Sequence, residues 1–180
     1  MHGIIFAEFK KYVGTKLGEN RWDSLLKESG IGQRLYLQIQ EYPDQELAAL
    51  VSTAAKSMGK PVPAVLEDFG EFIIPALVSM YKSLIKPEWK TLDFIENTEE
   101  TIHKVVRIRN PGAKPAKLKC TRLGPNELII HYGSPRKMCA VAKGMTRGVA
   151  KHYHEKVDIT ETTCMLNGNP ACNISVKLVK

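Results

Sequence analysis

Through the first two-thirds of the chain, hydrophobic residues recur at spacings of three to four, the signature of one buried helix face. Residues 4–17 place Ile5, Phe6, Phe9, Val13 and Leu17 on such a face. Residues 20–29 carry Trp22, Leu25 and Leu26 before Gly30, a stop signal. Residues 44–58 repeat the pattern with Leu47, Leu50, Val51, Ala54 and Met58. Pro63 suits the start of a helix, where the missing N–H would be unpaired anyway. That helix carries Leu66, Phe69, Gly70, Ile73 and Ile74, and Pro75 predicts a kink or an end. Helical spacing resumes over 91–109 through Phe94, Ile95, Ile102, Val105 and Val106, read as one further helix.

The pattern changes at Asn110-Pro111-Gly112, a turn signal. KLKCTRL (117–123) and ELIIHY (127–132) read as strands of a hairpin joined at Gly124-Pro125-Asn126. Met138, Val141, Met145, Val149 and Tyr153 predict a late helix. KVDITET and CNISVKLV read as two more strands around Asn167-Gly168-Asn169-Pro170. Helices first, then a sheet-bearing half with one embedded helix, predict an α+β protein of two lobes.

Composition narrows the class. With 43% hydrophobic and 25% charged residues over 180 positions, the chain has a globular composition. The net charge of +7 favours an anionic partner or cofactor without choosing among them. A basic nucleic-acid-binding domain is the alternative, based on the charge and on KPAKLK. Against it, the lysines are spread along the chain, only 7% of residues are aromatic, and no known recognition module is present. The longest mainly apolar run free of charge, FIIPALVSMY, falls short of the ~20 residues of a membrane helix. The N-terminus does not read as a signal peptide, so the expected location is cytoplasmic and the four cysteines are reduced thiols or metal ligands.

The candidate chemistry is sparse. No GxGxxG, P-loop, HExxH or GxSxG occurs, which argues against the common enzyme classes. His103 lies beside the stripe of Ile95, Ile102 and Val106, where a neutral imidazole suits either a metal or haem ligand or a half-buried helical position. Tyr132, Ser134 and Arg136 directly follow a strand and are all donors to an anion. Cys139, Cys164 and Cys172 lie in the C-terminal part, one thiolate short of a closed zinc site.

Taken in order, His103, NPGAKPAKL and GPNELIIHYGSPRKMC resemble the H-NOX family, the haem nitric-oxide/oxygen-binding domains related to the haem domain of soluble guanylate cyclase. The resemblance runs from MHGIIF through AVLEDFGEF to CMLNGNPACNISV. It implies a single haem-binding domain over 1–180, with a helical distal lobe at 1–62, a haem-bearing lobe with the sheet at 63–180, and the cofactor between them. It implies haem b, His103 as the axial iron ligand, and Tyr132, Ser134 and Arg136 on the propionates. Ile5, Phe9, Ile74, Pro115, Val141 and Met145 would complete the cofactor-binding set.

The resemblance also sets expectations for ligands and output. Val141 stands where oxygen-binding members carry a hydrogen-bonding tyrosine, and Phe9 and Ile73 stand where those members have supporting polar residues. The expected ligands are therefore nitric oxide and, more weakly, CO, with O2 not stably held. Loss of the iron–His103 bond and movement of the lobes would carry the signal to a partner: a histidine kinase, a cyclic-di-GMP enzyme or a chemotaxis receptor of a bacterium. A sensor of this kind is not an enzyme. Two departures stand out. Ala116 replaces a proline frequent after Pro115. Some bacterial members hold zinc through four cysteines; here Asn167 is expected at the fourth place, which weighs against zinc and leaves a thiol redox role for Cys139, Cys164 and Cys172.

Overall fold

A computed structural model describes residues 1–110 and 112–179; Pro111, in the middle of the expected Asn110–Gly112 turn, lies outside the described residues. Among the described residues, seven α-helices and a four-stranded sheet follow one another as α1 (Gly3–Leu17), α2 (Arg21–Glu28), α3 (Asp44–Met58), α4 (Val62–Met80), α5 (Thr91–Asn97), α6 (Lys104–Arg109), β1 (Lys117–Gly124), β2 (Glu127–Gly133), α7 (Cys139–His152), β3 (Lys156–Thr163) and β4 (Cys172–Val179). The sheet is antiparallel throughout, in the order β1-β2-β4-β3. Alternation along β2 turns Leu128, Ile130 and Tyr132 inward, and β4 adds Cys172, Ile174 and Val176 to the same face.

Two apolar cores result. The first joins α1 to α4 around Phe6, Phe9, Tyr12, Trp22, Leu25, Leu50 and Phe69. Some of its aromatic rings stack, as Phe6 on Tyr36, and others meet edge to face, as in the Phe9–Phe69 pair at 5.1 Å between centroids and an interplanar angle of 88°. The second joins the sheet to α5 and α7 through Leu92, Ile95, Ile130, Val149 and Ile174. Helix α4 serves both: Val65, Phe69 and Ile73 belong to the first core and Ile74 to the second.

Helices α4 and α7 cross backbone to backbone. A side chain on Gly144 would overlap the Glu67 carbonyl, and one on Gly70 the Val141 carbonyl. Only glycine permits that approach. Glu67 then ion-pairs with Lys143 (3.1 Å) and Arg147 (2.6 Å) across the crossing.

Two sequence expectations need correction. Of the kink or end expected at Pro75, the end does not occur; α4 runs through it to Met80. The Glu71 carbonyl left without a donor faces Gly148 of α7, where a Cβ would come within 2.9 Å of it. Packing against α7 thus holds both sides of the proline in helical register. Nor is 91–109 one helix. A π-helical turn, Glu99–His103, separates α5 from α6, with His103 N–H donating to the Thr98 carbonyl five residues back. Thr98 and Thr101 hydroxyls and the Asn97 amide each donate to the carbonyl four residues before them. Such back-bonding competes with the helical ladder and bends it.

Candidate functional site

Between the two cores lies a cavity of about 300 Å³. One wall comes from α1, α4 and α7: Ile5, Phe69, Ile74, Leu77, Val141 and Met145, all apolar. Thr146 is the polar residue α7 adds, and its hydroxyl is spent on the Ala142 carbonyl at 2.9 Å. The opposite wall carries His103, Ile102 and Val106 from the π turn and α6, and Pro115, Ala116 and Leu118 from the segment entering β1.

His103 has a prepared environment. Its Nδ1 donates to Glu99 Oε2 at 2.9 Å, which fixes the tautomer and leaves the Nε2 lone pair free to bind a metal. Burial pushes the His103 pKa below its ordinary value, against the upward pull of Glu99 and the Ala116 backbone; the nearby Arg107 also lowers it. The imidazole is therefore neutral at pH 7, the form that ligates metals. Burial alone would raise Glu99, but His103, Arg107 and the Leu118 N–H hold it below the usual carboxylate range.

Tyr132, Ser134 and Arg136 line the same cavity. Tyr132 ends the inward face of β2, and burial raises its phenol pKa against the influence of Ser134 and the Met138 backbone. Ser134 is buried and its Oγ accepts the Arg136 N–H at 3.3 Å. Arg136 Nε donates to Asp44 Oδ2 at 2.8 Å, so the guanidinium is anchored to the start of α3. Burial alone would raise Asp44; hydrogen bonds from the Met1 ammonium and Arg136 outweigh it and hold the carboxyl low. Two hydroxyls and one guanidinium at one end of an apolar slot, with a neutral imidazole in its wall, fit a flat, largely apolar, metal-bearing cofactor with acidic substituents.

A sequence profile described as haem-NO-binding matches residues 2–161. The chain belongs to the H-NOX family. That family consists of haem-based gas-sensor domains related to soluble guanylate cyclase. An H-NOX protein from Shewanella oneidensis in the Fe(II)NO ligation state is 26% identical, with all of both chains covered and a TM-score of 0.94. An unliganded Fe(II) H-NOX protein from K. algicida shares the fold at 20% identity and a TM-score of 0.88, over 100% of this chain and 97% of that one. Soluble guanylate cyclase gcy-35 from Caenorhabditis elegans is 23% identical over 165 residues. That is 86% of this chain but only 23% of the length of the curated relative.

Within this H-NOX chain, most of the expected cofactor contacts converge on one cavity: Ile5, Ile74, Pro115, Val141 and Met145 all line it. Phe9, of that set, does not, and neither does Ile73, expected only beside it at a supporting position. Both are fully buried in the helical core, and the Phe9 ring packs on Tyr12, Trp22 and Phe69. Phe69 takes the cavity-facing place instead. His152 and His154 are exposed.

The three C-terminal cysteines also come together. Cys139 Sγ lies 3.8 Å from Cys164 Sγ, which lies 3.9 Å from Cys172 Sγ. Asn167 is exposed in a short turn, Met165–Asn167, where its backbone N–H donates to the Cys164 carbonyl at 3.0 Å. The fourth group is Glu161, and the four ligand atoms all lie within 4.8 Å of one another. Glu161 Oε2 pairs with Lys143 at 3.2 Å, while the buried Oε1 has no hydrogen-bond partner. Burial raises the Cys139 and Cys172 thiols, so both are protonated at neutral pH. The sequence held a signal for Glu161: in KVDITETT the inward phase reads Val157, Ile159, Glu161, a carboxylate in an apolar register.

Proposed function

We propose that this chain senses nitric oxide through ferrous haem b and passes the signal to a partner protein. The observation that carries the reading is the pairing, in one apolar cavity, of a neutral His103 imidazole with the Tyr132–Ser134–Arg136 donor set. His103 Nε2 would take the iron; Tyr132, Ser134 and Arg136 would take the propionates. The distal wall around Val141 offers a bound diatomic no hydrogen-bond donor. Bound haem would supply a ferrous iron able to hold NO without such a donor, with His103 as its protein ligand. His103 sits in the π turn, where the helical ladder is already loosened, so release of its tether lets α6 move against the helical lobe. In this reading the chain is a cytoplasmic bacterial module with no catalysis of its own, and its partner is a histidine kinase, a cyclic-di-GMP enzyme or a chemotaxis receptor. The test is binding: a gel-filtration or pull-down comparison of NO-bound and ligand-free protein against such partners should give ligand-dependent capture, and equal capture in both states contradicts the signalling role.

A second metal reading rests on Glu161. Three thiols and one carboxylate with an orphaned oxygen make four donors, the number a closed zinc site needs. We propose that Cys139, Glu161, Cys164 and Cys172 bind zinc, with the thiols losing their protons as the metal enters. Elemental analysis should find about one zinc per chain in protein purified without chelator, and affinity should rise with pH. Metal-free protein that takes up no added zinc leaves the cluster as a thiol group open to oxidation.

A further inference from the structure

The carboxylate beside His103 is held more firmly than a surface ion pair would be. Glu99 Oε2 accepts from His103 Nδ1 at 2.9 Å and from the Leu118 backbone N–H at 3.2 Å. Its other oxygen faces Arg107 NH2 at 2.8 Å. Glu99 and His103 are the first and last residues of the π turn, while Leu118 lies in β1. The side chains of Glu99 and His103 are 21% and 18% exposed, against 42% for Arg107.

A carboxylate that accepts the second ring N–H of a metal-bound histidine fixes its tautomer and orientation and makes it a stronger ligand. Three groups therefore act in series here: the Arg107 guanidinium, the Glu99 carboxylate, and the His103 imidazole with its metal-facing Nε2. Charge withdrawn at one end weakens the other. Arg107 draws negative charge away from His103, and Glu99 supplies it.

We propose that Glu99 is a positioning residue that sets the strength of the bond between His103 and the cofactor iron, and that Arg107 tempers it. The proposal rests on His103 being the axial ligand. Its two members act in opposite directions. Glu99→Gln keeps the shape but removes the anion, so the imidazole becomes a weaker donor. Arg107→Met leaves the anion and removes its counter-charge, so the imidazole becomes a stronger one. A residue that merely propped up the turn would give disturbances of one sign in both variants.

The test is resonance Raman spectroscopy of the reduced, unliganded holoprotein, reading the iron–imidazole stretching band, with the midpoint potential as a second readout. Glu99→Gln should move the band to lower wavenumber and the potential up. Arg107→Met should move the band up and the potential down. Shifts of the same sign in both variants, or no shift in either, overturn the proposal. Should Glu99→Gln fail to retain haem, the sign of the Arg107→Met shift decides by itself. If the wild-type protein has no iron–imidazole band, the failure belongs to His103 as ligand; if it has the band and the variants leave it fixed, the failure belongs to Glu99 alone.

Discussion

The two walls of the cavity are built by opposite means. The α4–α7 wall is rigid and apolar: two helices meet at glycines, with backbone against backbone, and the only nearby hydroxyl on α7 is satisfied within its own helix. The His103 wall is polar and loosened: a π turn, side chains bonded back to carbonyls, and a carboxylate shared by His103, Arg107 and β1. The comparison separates two jobs. On the proposed reading, the inert wall would select ligands by withholding donors. The opposite wall would use its loosened ladder to move and its carboxylate network to tune one bond.

The comparison breaks most completely at His103. His103→Gly should yield protein that holds haem only when imidazole is supplied, measured by the Soret band before and after dialysis. Haem retained fully without imidazole would remove His103 from the site.

The rigid wall breaks at Gly144. Gly144→Val drives a side chain into the Glu67 carbonyl, and overpacking costs up to about 3 kcal/mol. For a chain of this size that lowers the thermal midpoint by roughly 6–12 °C. A change within error would mean that the crossing is not tight.

Inertness itself is sharpened at Val141. Val141→Tyr adds one donor to the apolar wall. A single hydrogen bond contributes about 1 kcal/mol, several-fold in affinity. The variant should hold O2 more strongly than the native chain in stopped-flow spectra of the ferrous protein, with NO binding little altered.

The smallest effect lies at the edge of the crossing. Burial would raise the Glu67 carboxyl, but Arg147 and Lys143 outweigh it and hold the pKa below the usual carboxylate value. The sign follows from linkage. Stability from this group is fully present above the unfolded-state pKa, about 4.3, and fades as pH falls through the lower folded-state value. For a partly exposed group it amounts to roughly 0.5 kcal/mol. Glu67→Gln should therefore narrow the gap in stability between pH 7 and pH 3, measured by denaturant unfolding.

Much of this architecture was readable in the chain, for reasons that differ by region. Helical faces such as Ile5–Phe9–Val13 and the alternation of Leu128, Ile130 and Tyr132 carry their period openly. His103 and the Tyr132–Ser134–Arg136 run were readable through their order, because each alone is common. The misreadings come from tertiary override. Pro75 is a helix breaker whose freed carbonyl is accommodated by Gly148, seventy-three residues away in sequence. Phe9 lies on the helix face that packs on Trp22 and Phe69, and only the crossing of α4 decides which aromatic ring reaches the cavity. Glu99 and Glu161 were overlooked although local signals existed: one lies four residues before His103, the other in the inward phase of β3.

The central claim is that one donor-free wall, with a neutral histidine in the wall opposite, reads nitric oxide. Absorption spectra of the reduced, purified protein test it most directly, first under argon, then in air, then with NO. The account predicts a haem Soret band that does not settle to a stable oxygen complex in air and shifts with NO. A colourless protein, or a stable oxy-ferrous spectrum, would contradict it.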